Sequence, residues 1–176
     1  MLTATYSLVA ISAEQKTART ILSGLQRQIQ GILRDLHSVN RSCIESALHK
    51  LEQFEDFCHR RKVEAYVIPT VRKLTHEADA LIAELESLST SAVSILRSLK
   101  EQLRVACQQG VAELNKLCSA MEMYCANLMK RFAKEEEELL PLVQGTLPGE
   151  AWFDIAAKFL SDEANKKTQA RLLLQQ

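Results

Sequence analysis

Four histidines and a block of glutamates are the residues of this chain whose types could do chemistry: His37, His49, His59 and His76, with Glu64 and Glu135 among the carboxylates. A dinuclear metal centre between helices needs several imidazoles and bridging carboxylates from facing helices. On one helix, two ligands for a single metal sit best four residues apart, where their directions differ by roughly 40°. His59 fails that spacing on its own helix. Four residues on is Val63, and Glu64, at five, is turned roughly 140° away. Glu135 does have a neighbour at the right distance, but that neighbour is Arg131. A guanidinium stays protonated and cannot ligate, so Arg131 and Glu135 read as an i,i+4 ion pair. His37 and His49 read as exposed or helix-end residues. The five cysteines are odd in number and form no Cys-x-x-Cys; with Cys118 and Cys125 on one helical stripe, they read as buried, reduced thiols of a cytoplasmic protein. No nucleophile triad, phosphate loop or nucleotide fingerprint occurs, so an enzyme is not expected.

The elements that position these residues carry an internal repeat. HRRKVEAYVIPTV, residues 59–71, and RFAKEEEELLPLV, residues 131–143, lie 72 residues apart. Both place a lysine seven and a glutamate five residues before a proline (Lys62, Glu64, Pro69; Lys134, Glu136, Pro141), with a valine two after it. Proline is poorly tolerated inside a helix, so the shared arrangement predicts two equivalent helices ending near it. Ten residues before the proline the copies differ: His59 in the first, Arg131 in the second.

The surrounding chain is rich in Leu, Ala, Glu, Lys, Gln and Arg, which favours helix, and lacks strand-like alternation. Apolar spacing predicts helices over about 5–38, 41–69, 70–106 and 111–143, then a short helix from Glu150 to about Asp162 anchored by Trp152. Turns are expected at Ser38-Val39-Asn40 and Gln108-Gln109-Gly110, with Gly145 closing the fourth helix. Gly24 and Gly31 suggest close helix packing, Ser87–Ser91 a weak stretch of the third helix, and Tyr124 a core position. Four long amphipathic helices with short connections imply an all-α, up-down-up-down four-helix bundle over 1–163 and a helical or disordered tail over 164–176. Lys plus Arg total 22 and Asp plus Glu total 22, so no nucleic-acid footprint is expected. No apolar run reaches the ~20 residues of a membrane span, and the N-terminus lacks a basic leader, so no membrane association or signal peptide is expected.

On these residues the chain resembles the hemerythrin-like (HHE-type) proteins. AKEEEELLPLVQGTLPGEAWFDIAAKFL is similar to that family's last bundle helix, Trp-containing turn and short helix. YCANLMKRFAKEEEELLPL and EDFCHRRKVEAYVIPTV are similar to the two helices that carry its His-to-Glu pairs, and RKLTHEADALIAEL and ISAEQKTARTILSGLQ to the other two. The resemblance spans about residues 8–163. It implies non-haem iron and binding or sensing of oxygen or nitric oxide, iron storage, or repair of iron centres. Carried over by position, the ligand set falls at Gln15, His59, Val63, Thr75, Arg131 and Glu135. Only His59 and Glu135 match, with Glu64 beside one lost position and His76 beside another. The resemblance therefore implies a degenerate di-iron site: at most one weak metal at His59, Glu135 and His76, with Glu64 and Gln15 nearby. Arg131 replaces a ligand and is expected to pair with Glu135 and Glu64. A regulatory or binding role follows. A functional iron-binding protein and a metal-free module that dimerises or binds a protein partner are the alternatives.

Overall fold

The computed structural model describes residues 2–38 and 41–173, and among them every regular element is helical. In chain order these are α1 (Leu2–Arg34), α2 (Arg41–His59), a π-helical turn (Val63–Val67), α3 (Ile68–Leu74), α4 (Asp79–Gln109), α5 (Val111–Lys134), a second π-helical turn (Glu135–Leu139), α6 (Leu140–Thr146) and α7 (Gly149–Leu173). The most extensive packing is between α4 and α5; α1 packs on α5, α7 and α2.

The repeat seen in the sequence is a repeat in the backbone. Both π turns span five residues, and each leads directly into a seven-residue α-helical segment. Pro69 and Pro141 lie in the first turn of those segments, where proline's fixed φ suits the right-handed helical backbone that continues from the π turn. The second helix therefore does not stop at Pro69 but continues to Leu74. The third helix begins at Asp79 rather than at 70. Thr75 is extended (φ −152°, ψ 152°) and its Oγ1 accepts the Glu77 N–H at 3.1 Å, a local bond that competes with helix continuation.

Other expectations are corrected by backbone geometry. Gly110 does make the turn between α4 and α5, with φ 98°, a region that favours glycine. Gly145 is not a cap: α6 runs through it to Thr146, and Leu147 turns extended ahead of Pro148. Gly24 and Gly31 sit at no close helix contact, since a methyl group at either would meet nothing within 4 Å. Helix α4 is unbroken through Ser87–Ser91. The last helix is longer than expected, reaching Leu173. Val39, Asn40 and the end of the apolar tail Leu172-Leu173-Leu174 lie outside the described residues.

The interior divides into two apolar clusters. One gathers Leu22, Ile29, Leu51, Phe54, Cys58, Tyr124, Leu128 and Phe132. The other gathers Ile11, Val63, Val67, Leu85, Leu139, Val143, Trp152 and Phe159. Four segments pass from one cluster to the other, and each places a polar residue at the crossing. On α1, Gln15 lies between Ile11 and Ala18; between α2 and the first π turn, Arg61 lies between Cys58 and Val63. On α4, Ser89 lies between Leu85 and Ala92; from α5 into the second π turn, Arg131 and Glu135 lie between Leu128 and Leu139. No described helix is long and apolar enough to cross a membrane.

Candidate functional site

Three of these crossing residues, Gln15, Arg61 and Arg131, converge on one carboxylate. Glu135 is 0% exposed. Its Oε1 accepts from Arg131 Nε at 2.8 Å and from Arg61 Nη1 at 3.4 Å. Its Oε2 accepts from Gln15 Nε2 at 2.7 Å and from Arg61 Nη2. The two arginines carry further partners. Arg61 Nη2 donates to Gln15 Oε1 at 2.6 Å, and the Arg61 guanidinium stacks 4.2 Å from the centre of the Phe132 ring. Arg131 reaches Glu64 through Nη2 and Ser89 through Nη1. Burial alone would raise the Glu135 pKa. The guanidiniums of Arg61 and then Arg131 outweigh that burial and hold it below the ordinary carboxylate value of 4.5. Two cations against Glu135 and Glu64 leave the layer formally neutral.

Backbone irregularity explains how the two helices deliver this charge. In α5 the helix is regular through Lys134, so Arg131 and Glu135 share a face and form the pair that their spacing predicted. In the first copy the α-helix stops at His59. Arg60 and Arg61 then close a tighter turn, with N–H groups on the carbonyls of Phe57 and Cys58 at 3.1 and 3.2 Å. Arg61, only 1% exposed, is carried inward by this turn. The Lys62 N–H, freed at the restart of the helix, is accepted by Glu14 Oε2 of α1 at 2.6 Å. On the second copy α1 makes the opposite pairing, Arg19 to Glu136 at 2.7 Å.

The expected site residues separate into two groups. Gln15, Glu64, Arg131 and Glu135 come together. His59 and His76 do not join them. The His59 side chain is 64% exposed and lies 3.3 Å from Glu55. That of His76 is 93% exposed and lies 2.8 Å from Asp79 in the loop before α4. Among the described residues no group of three or more His, Cys, Asp or Glu is arranged to hold a metal ion. Arg61 was missed because His59-Arg60-Arg61-Lys62 reads as a solvated basic run. The signal was present: Phe54, Cys58 and Arg61 continue the three-four spacing of the buried stripe, a cation at a core position.

A second polar contact borders the layer. Glu55 is buried and accepts from the Tyr124 hydroxyl at 2.6 Å while facing His59. Burial, then the Glu55 charge, pushes the Tyr124 pKa far up, so the phenol stays protonated. Burial likewise pushes the Cys58 and Cys125 thiols to about 12, which leaves them poor nucleophiles near neutral pH. Neither a protein-family model, nor a curated protein, nor a solved structure matches this chain.

Proposed function

We propose that this protein is a hemerythrin-like four-helix bundle whose di-iron site has been replaced by a buried ionic layer, and that it serves as a non-enzymatic binding or regulatory protein. The helices running to Arg34, from Arg41 to Leu74, from Asp79 to Gln109 and from Val111 to Thr146 supply the four bundle members, and α7 packs at one side. The observation that carries the reading is the occupancy of Glu135. Both its oxygens are taken by N–H donors of Arg61, Arg131 and Gln15.

The family's iron is poorly served by this donor set. Two guanidiniums stand where cationic metals would, and they supply charge but no lone pair. Glu135 has no acceptor capacity left for a metal, and the imidazoles of His59 and His76 lie at the surface. The charge that iron would bring is supplied instead by residues of the chain, which removes the penalty of an isolated buried carboxylate. A cytoplasmic location and a dimer or protein partner fit this role, as the sequence anticipates.

The test is metal analysis of protein purified from iron-supplemented culture, with its visible absorption spectrum recorded under air and under nitrogen. The reading predicts colourless protein, iron far below one per chain and no oxygen-dependent band. Near-stoichiometric iron that disappears in His59→Ala would overturn it.

A further inference from the structure

Helix α7 runs beside α1 and climbs from one apolar cluster toward the other. Its Trp152 and Phe159 belong to the cluster of Ile11 and Val67. The Phe159 ring meets Tyr66 at 5.6 Å between centres, and the Tyr66 hydroxyl donates to Asp162. One turn further, Asn165 lines a hollow of about 540 Å³ together with Glu14 of α1 and Phe57 of α2. Phe57 packs against the other cluster. By Asn165, α7 has therefore reached the seam between α1 and α2.

That seam continues as an open groove. A second hollow, of about 490 Å³, shares Phe57 with the first and adds Ile21, Gly24 and Leu25 of α1 and Phe54 of α2. A third, of about 520 Å³, adjoins it at Gln28 and extends to Gly31 and Ser46. Ile21 is left 42% exposed over the buried Leu25 and Phe54. Gly24 and Gly31 meet open space where a side chain would stand. Among the described lining residues of the second hollow the one charge is Lys50, which donates to Gln28 at 3.0 Å. A surface poor in charge, with apolar residues in its floor, has the composition of the centre of a packing interface.

The length and spacing of the following chain name the occupant. Eleven residues, 166–176, come after Asn165. At the helical rise they reach about 16 Å, the same span that separates Phe57 from Ser46 along α2. The buried positions Ile155 and Phe159 lead at three-four spacing to Asp162. In sequence that spacing continues through Lys166 to Ala170 and Leu173, with Leu174 beside them. We propose that residues 166–176 seat in the α1/α2 groove, with Ala170, Leu173 and Leu174 over Ile21, Leu25 and Phe57, so that α7 straps α1 to α2. The inference is independent of the metal-free reading of the layer.

Hydrogen–deuterium exchange of the whole chain, read by mass spectrometry over residues 166–173, tests it. A helix end without tertiary support frays and exchanges close to the unfolded-chain rate. A seated strap should exchange slower than that rate by on the order of tenfold or more. Gly24→Trp, which fills the groove where an added side chain meets open space, should abolish the slowing over 166–173 and leave the rest of the chain unchanged. Leu173→Asp should act alike, and serves if Gly24→Trp does not fold. Unfolded-chain rates in the wild type, or unchanged protection in either folded variant, would overturn the proposal. Protection that appears only as protein concentration rises, with a doubled mass by light scattering, assigns the groove to a second copy and overturns it too.

Discussion

The segments 59–71 and 131–143 share a π turn of equal length, a proline just beyond it and a glutamate five residues ahead of that proline, yet they feed the interior differently. In the second, regular helix carries Arg131 and Glu135 inward together. In the first, α2 ends with His59 already at the surface, and Arg61, beyond the tighter turn, takes the interior position. The wider π turn is a feature often found where helices carry function. Here both copies use it to re-aim the chain beside the polar layer. The comparison teaches that backbone equivalence does not transfer side-chain roles: residues 59 and 131 align in the repeat, and only one of them is inside.

The largest effect is expected from the residue that both copies serve. Glu135→Ala leaves two buried guanidiniums without their shared counter-ion, and should cost about 3–5 kcal/mol in urea-induced unfolding. The acid limb of the wild-type stability curve is a linked test. The folded-state pKa of Glu135 is depressed, so its contribution is present above the ordinary 4.5 and fades as pH falls through the depressed value. The variant should lack that part of the acid slope.

Next in size is the contrast between the aligned positions. Arg131→Ala should destabilise by about 3 kcal/mol, because Glu135 and Glu64 lose a buried partner. His59→Ala should change stability by no more than about 0.5 kcal/mol, as expected for a surface site. Equal effects at the two positions would break the comparison. The smallest effects are expected at the prolines. Pro69→Ala and Pro141→Ala should each shift stability by less than about 1 kcal/mol, and by similar amounts, because both occupy helix-compatible first-turn positions. A large loss at one alone would show that the two π turns are held by different means.

Much of this arrangement could be read from residue types and spacing. Helical composition and apolar period give an all-helical chain, and the i,i+4 rule gives the Arg131–Glu135 pair. The convergence of Gln15 and Glu64 on that pair was reached only through the family resemblance. What escaped is tied to particular local bonds. The start of α4 depends on the Thr75 hydroxyl capturing the Glu77 N–H, which no periodicity announces. Arg61 escaped because its neighbours His59, Arg60 and Lys62 are all polar, and a run of four such residues conceals which one falls on the buried stripe. Beyond the inward turn at Arg60–Arg61, Glu14 of α1 accepts the freed Lys62 N–H, a tertiary contact 48 residues away in sequence.

The central claim is that arginines, not metal, neutralise the buried carboxylate. The most direct test is equilibrium unfolding of the purified, chelator-treated protein under nitrogen, with and without excess ferrous iron. A metal that binds only the folded chain must raise its stability in proportion to the logarithm of metal concentration. The account predicts superimposable unfolding curves. A concentration-dependent stabilisation by iron that is lost in His59→Ala would contradict it.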